Sequence, residues 1–348
     1  MNSTTVSYVE ESIVWADVVA PYILGFIFII GFVGNGLLIF IIVANASMRS
    51  VTNLLLLSLA IGDFLVIICS LPLRTLLYIH EQWIFGSFCC HINEFVINLS
   101  QGVSIFTLTA LAGDRFVAIV WPISTLSWIT KRKTIFATCL IWILAVSFAL
   151  PDIITSRILV YETFTICHLY GLIYGESIDD SYALGRRLFN LTAYYLLPLT
   201  IITLMYVAIA QALYHAPSKV LRSSLKFNDK IIVKKHLKTR KKIAKIVLVL
   251  VILFIICWTP RYVYIFAVNY TNFSLHTSKM TWQLVSFVFS FFNSCINPPT
   301  LYIVSTDFKR YFNHYLFGIC CKSKRITVVR RCSEMGMNTM SAQNNHQI

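Results

Sequence analysis

Long runs of apolar residues, broken at irregular intervals by short polar stretches, set the pattern of this chain. Seven runs stand out, at about residues 20–44, 53–79, 90–120, 134–151, 187–214, 242–268 and 279–304. Each is too long for a core strand, and none shows strict two-residue alternation. A helix rises 1.5 Å per residue, so about 20 residues cross a hydrocarbon layer of ~30 Å. Inside lipid a segment must satisfy its own backbone, which a helix does without closing a barrel. The pattern predicts an all-α membrane protein with a bundle of seven spanning helices.

The third run, Cys90 to Val120, organises the rest. Its interior polar residues are Asn98, Ser100, Gln101, Ser104, Thr107 and Thr109. Such residues are tolerated at membrane depth only where they face protein or enclosed water. A helix polar on several sides belongs in the middle of the bundle. It ends in the charged pair Asp114-Arg115, which reads as an interfacial anchor or as a working surface.

Composition agrees. Of 348 residues, 57% are hydrophobic and 13% charged, about half the ~25% charge of a soluble domain. A net charge of +14 would suggest nucleic acid in a soluble protein, but no nucleic-acid fold signature occurs. The basic residues gather instead in alternate loops: Arg49, Lys131-Arg132-Lys133, a lysine-rich stretch from Lys219 to Lys245, and Lys309-Arg310. The positive-inside rule then puts the amino terminus outside and the carboxyl terminus inside; the expected location is the plasma membrane. Residues 1–19 hold no Lys or Arg and read as an acidic outer tail, without a removable signal peptide. The bundle occupies 20–304. Residues 305–321 include DFKRYFNHYLF, an amphipathic helix for the inner leaflet, and 322–348 form a polar tail read as disordered.

Candidate chemistry follows from this topology. Outside cysteines are oxidised, so Cys90 and Cys167 are the expected disulfide, with Cys89 a rival for the first position. Asn2, Asn269 and Asn272 begin glycosylation sequons on the outer side. Cys320-Cys321, directly after the amphipathic helix, are candidate palmitoylation sites. Asp63 is the one carboxylate deep in the second run; Asn35, Ser104, Asn293, Ser294 and Asn297 fall at comparable depth. A buried carboxylate binds a cation, takes up a proton, or sits in a hydrogen-bond network. Pro260 follows Cys257-Trp258-Thr259, and Pro298-Pro299 follow Asn297; each is a hinge or a static bend.

Together these motifs resemble the rhodopsin-like G-protein-coupled receptors. The matching residues are Gly34-Asn35, Leu59-Ala60 with Asp63, Trp83 with Cys90, Asp114-Arg115-Phe116, Trp142, Pro198 with Tyr206, Cys257-Trp258-Thr259-Pro260 and Asn297-Pro298. They occur in order across residues 20–321. Phe116 replaces the usual tyrosine, and Leu301-Tyr302 puts the last-segment tyrosine one place late. That form, with Val103 to Leu111, Tyr264-Ile265-Phe266 and Glu94-Phe95, is similar to the bombesin, endothelin and CCHamide-type neuropeptide receptors.

The resemblance implies a non-enzymatic receptor for an extracellular peptide. Its inner partners would be a heterotrimeric G protein, with Gq and calcium signalling expected, and arrestin. It implies an allosteric sodium ion at Asp63, Ser104, Asn293, Ser294 and Asn297, with no other cofactor. The switch would comprise Asp114, Arg115, Tyr206, Trp258, Pro260, Asn297, Pro298 and Tyr302. Arg115 would leave Asp114 on activation and be steadied by Tyr206. No carboxylate lies at Arg240-Lys241-Lys242 to clamp Arg115, so the closed state should rest on packing and an exposed Asp114–Arg115 pair. Ile97 stands where amine receptors carry an aspartate, and Trp282 to Tyr302 holds no lysine for a retinal Schiff base. The pocket is then a wide, mixed-charge mouth of Glu94, Asn98, Gln101, Arg261, Tyr262 and Gln283, with Glu94 and Arg261 meeting ligand groups of opposite sign. The alternatives are a receptor for a lipid or other small molecule, and a transporter. A transporter would show two similar halves with broken helices, and neither is visible.

Overall fold

The computed structural model describes residues 3–80, 82–121, 130–160, 165–169, 180–222, 227–270 and 276–318. The chain forms α1 (Ser3–Ala44), α2 (Val51–His80), α3 (Gly86–Val120) and α4 (Lys131–Thr155). Strands β1 (Ser156–Val160) and β2 (Thr165–Leu169) pair antiparallel, with Ile158 opposite Cys167. Then come α5 (Asp180–Leu191), a π-helical turn (Thr192–Leu196), α6 (Leu197–Arg222), α7 (Phe227–Tyr270), α8 (His276–Val304) and α9 (Thr306–Phe317). Asn2, Asn272, Cys320, Cys321 and the 322–348 tail lie outside the described residues.

Helices outrun the apolar runs that announce them, because helical hydrogen bonding does not stop where lipid stops. The expected boundary at residue 19 is no break: α1 is continuous from Ser3. Much of the basic stretch after residue 219 is likewise helical, in α6 and α7. The fifth run is one rod widened at Thr192–Leu196, just before Pro198. Proline lacks the N–H for the i−4 carbonyl and its ring crowds that group, and a wider turn absorbs both defects. The β-hairpin was not expected.

Among the described residues, six spans are long and apolar enough to cross a membrane. The seventh run, α8, falls outside that set because it is dense in polar groups. Ser286, Ser290, Asn293, Ser294 and Asn297 are all buried, so they face protein. The large exposed apolar residues, such as Phe26, Phe40, Phe136 and Leu204, are what a lipid-facing surface needs. One core cluster joins α1, α2, α3 and α8 through Leu24, Ile67, Leu71, Ile97, Phe291 and Cys295. A second joins α3 to α4, where a Cβ on Gly102 would lie 2.9 Å from the Tyr194 ring and 3.1 Å from the Ala145 Cβ. That close approach puts α3 in the middle, as its polar pattern predicts. Residues 305–318 belong to a second unit. Its helix α9 starts under an N-cap, where Ser305 accepts from the Phe308 N–H at 3.5 Å, and ends at left-handed Gly318, φ 61°.

Candidate functional site

Three groups of polar residues line up along α3. In the middle, Asp63 is fully buried. Ser104 donates to one carboxylate oxygen at 3.3 Å and Asn297 Nδ2 to the other at 2.7 Å. Ser294 adds a further side-chain hydrogen bond. Asn35 Nδ2 donates to the Ser294 carbonyl at 2.7 Å, which ties α1 to α8 at this level. Asn293 is buried on the same helix. Sequence had grouped these residues by depth alone; the structure brings Asp63, Ser104, Ser294 and Asn297 into contact. The oxygens of Asp63, Ser104 and Ser294 suit a small hard cation.

At one end of α3 the Asp114–Arg115 pair forms, and it is not exposed: both side chains are 8% accessible. Arg115 Nη2 also donates to Thr52 Oγ1 at 2.6 Å, and Thr52 donates to Asp114 Oδ2 at 3.2 Å. Thr52 was missed. Nothing in its local sequence separates it from the other small polar residues at helix ends. No carboxylate occurs in Arg240–Lys242, as the sequence shows. Tyr206 is instead held on α7, donating to the Ala244 carbonyl at 2.9 Å. Ile119, Ile209 and Ala244 pack there with Phe116 against them. Phe116 thus has an apolar role that needs no hydroxyl. Pro298 and Leu301 are buried, with Tyr302 half-buried beside them.

At the other end of α3, Cys90 and Cys167 are bonded, with Cα atoms 5.5 Å apart. Cys89 is a free thiol. The bond fastens β2 to α3, and Trp83 packs on it.

The six mouth residues come from α3, α7 and α8. Gln101 Nε2 donates to the Tyr262 hydroxyl at 2.8 Å, and that hydroxyl donates to the Asn190 carbonyl at 3.1 Å. Arg261 lies over the Phe287 ring, 5.2 Å from its centroid. Asn98 turns back to the Glu94 carbonyl at 3.4 Å, and Gln283 is exposed. One expectation is corrected. Glu94 is not available to a ligand cation: it is 2% exposed and ion-paired with Arg74, and Asn93 donates to it at 2.8 Å. A carboxylate inside a bundle is stable only with such a partner. A small cavity bounded by Ile97, Ser100, Trp258, Arg261, Phe287 and Ser294 holds about one water.

Arg74 was missed as a site residue, as was Arg186, which ion-pairs with fully buried Asp152 at 3.2 Å and so ties α5 to α4. A charge inside an apolar run signals that a partner exists. It does not say which residue on another helix provides it.

The family described as 7 transmembrane receptor (rhodopsin family) matches residues 34–302. The chain is 35% identical to the neuropeptide CCHamide-1 receptor of Drosophila melanogaster over 313 residues, covering 86% of this chain and 60% of the fly protein. It is 33% identical to bombesin receptor subtype-3 of Ovis aries over 305 residues, covering 85% of this chain and 73% of the sheep protein.

Proposed function

We propose a function on this premise: the chain belongs to the rhodopsin family of seven-transmembrane receptors. It is a receptor for an extracellular neuropeptide and activates a heterotrimeric G protein, with Gq and a calcium response as the route. The observation that carries this reading is the likeness, across 85–86% of the chain, to two receptors whose names specify peptide ligands. Ile97 in the buried core, where an amine receptor would need a carboxylate, supports it.

In this reading the disulfide end is outside and the Arg115 end inside, as the basic loops require. The mouth takes the peptide. Trp258 and Pro260 turn its contact into a movement of α7, and the Tyr206 hydroxyl then leaves Ala244 to steady Arg115. The opened inner face engages the G protein, and later arrestin. Sodium at Asp63 would favour the closed bundle by differential binding. Asn2, Asn269 and Asn272 carry glycans outside, and Cys320 and Cys321 carry palmitate inside.

The test is inositol phosphate accumulation and calcium imaging in cells expressing the chain at verified surface levels, challenged with a neuropeptide panel that includes CCHamide-1 and bombesin. A saturable response to one peptide class is expected. Silence toward every peptide, with a response to a lipid or with ligand-independent solute flux, would overturn the reading.

A further inference from the structure

Phe287 on α8 is buried in the core cluster with Leu71 and Ile97, and packing of that kind needs only an apolar side chain. Its surroundings use more of it. Two guanidiniums meet this one ring: Arg74 of α2 lies 4.7 Å from its centroid and Arg261 of α7 lies 5.2 Å from it. Both distances fall within the ~6 Å over which a cation is drawn to the negative face of an aromatic ring. Leucine or methionine would fill similar space and attract neither arginine.

The two arginines are held differently. Arg74 is nearly fully buried and is fixed by its ion pair with Glu94 of α3, to which Asn93 also donates at 2.8 Å. Arg261 is half-buried and is the first residue after Pro260. At that proline α7 lacks a backbone hydrogen bond, so a bend or rotation is concentrated there. The ring therefore joins a fixed charge on the α2–α3 side to a charge beside the hinge of α7. Two guanidiniums around one ring repel each other where water is scarce, and the ring's negative faces offset that repulsion. The contact belongs to the closed arrangement, with Asp114 paired to Arg115 and the Tyr206 hydroxyl on the Ala244 carbonyl. Turning α7 at Pro260 shifts Arg261 relative to the ring and so works against the attraction.

We infer that Phe287 is a positioning residue: its aromatic face, and not its bulk, fastens Arg261 at the α7 hinge to the Arg74–Glu94 pair and restrains the receptor in its closed state. The inference rests on the receptor reading above for its signalling readout.

The experiment replaces Phe287 with phenylalanine carrying one, two or three ring fluorines, introduced by stop-codon suppression. Fluorine withdraws negative charge from the ring face while the ring keeps its shape. A fluorinated ring is at least as apolar, so packing alone predicts no loss of stability along the series. The melting temperature of the detergent-purified receptor should fall step by step with the number of fluorines. Agonist-free inositol phosphate at matched surface expression should rise, by about threefold or more for the trifluorinated ring. In an Arg261→Met background the rise in signalling should vanish, while part of the melting loss remains through Arg74. A flat series in both readouts would mean that the ring only packs, and would overturn the inference. A rise in signalling that persists unchanged in Arg261→Met would overturn it too, as would a melting loss with unaltered basal signalling in a receptor that a peptide activates. Inositol phosphate that no peptide raises in the native receptor is a failure of the reading above; the melting series, which needs neither peptide nor G protein, then decides whether the ring fastens Arg261.

Discussion

Arg74 is tolerated inside α2 because Glu94 stands across from it on α3, and each makes the other possible. Both are nearly fully buried. Cutting one partner leaves the other as a bare charge, which costs about 3–5 kcal/mol, whereas replacing both with apolar residues can be neutral. Arg74→Met is therefore expected to lower the melting temperature and surface yield sharply, and the double change Arg74→Met with Glu94→Leu to recover much of the loss. Thermal melting of the detergent-purified receptor measures both. Equal stability of the single and double variants would show that the pair is not coupled. Asp63 differs, since its carboxylate is met by hydrogen bonds from Ser104 and Asn297 and by no cation among the described residues. Asp63→Asn should abolish sodium sensitivity of agonist affinity, read by radioligand competition in sodium and in choline buffers. A native receptor indifferent to sodium would leave Asp63 a structural group. Asp63 was legible from sequence because a lone carboxylate deep in an apolar run has few bland explanations. The partnership of Arg74 with Glu94 was not, because it depends on how two helices are rotated about their axes.

Among the elements, the widened turn at Thr192–Leu196 sets a small circuit between α3, α5 and α7. The Tyr262 hydroxyl joins Gln101 to the Asn190 carbonyl, and one turn away the Tyr195 hydroxyl meets Thr259 Oγ1 at 2.6 Å. The Tyr195 and Tyr262 rings lie 5.0 Å apart, so the two contacts work as one fastening across Pro260. Opening α7 at that proline must break it. Each bond contributes about 0.5–1.5 kcal/mol, enough to move a two-state equilibrium up to about tenfold. Tyr262→Phe should accordingly raise agonist-free inositol phosphate at matched surface expression, and Tyr195→Phe should do so to a smaller or equal degree. Unchanged basal signalling in both would mean that the fastening does not resist opening. The disulfide is the other device at this level. It closes a separation of 77 residues, for which chain entropy gives a stabilisation of about 4 kcal/mol. Cys167→Ser should lose surface binding, while Cys89→Ser should keep it. Apolar run length revealed the long helices, since lipid leaves few other solutions. It did not reveal the hairpin or the widened turn, which are settled by neighbours rather than by local pattern.

At the scale of the molecule, the mouth and the Arg115 end lie at opposite ends of α3, and α2 and α7 also contribute residues to both. Gln101 and Arg115 are fourteen positions apart on that helix, roughly 20 Å at 1.5 Å per residue. A change at Arg115 therefore has no direct route to the peptide's contacts. The sequence had suggested a closed state resting on a weak exposed pair. Burial of Asp114 and Arg115, with Thr52 bonded to both, means that removing one partner strands the other, which costs more than the ~1 kcal/mol of an exposed pair. The hydroxyl of Tyr206 on Ala244 adds a second restraint between α6 and α7. The closed state thus has two fastenings in place of a clamp from Arg240–Lys242, and they can be released separately. Asp114→Asn removes the charge and should raise agonist-free signalling several-fold. Thr52→Ala, which leaves the ion pair, should raise it less. Arg240→Glu, which supplies the missing clamp, should suppress the signal that Asp114→Asn releases. Arg115→Ala should bind peptide with native affinity and yet fail to raise inositol phosphate, because the group proposed to meet the G protein is gone. Saturation binding and inositol phosphate on the same cells separate these outcomes. Normal signalling by Arg115→Ala would remove Arg115 from the coupling surface. Basal activity unaffected by Asp114→Asn would show that packing around Ile119, Ile209 and Ala244 alone keeps the bundle shut.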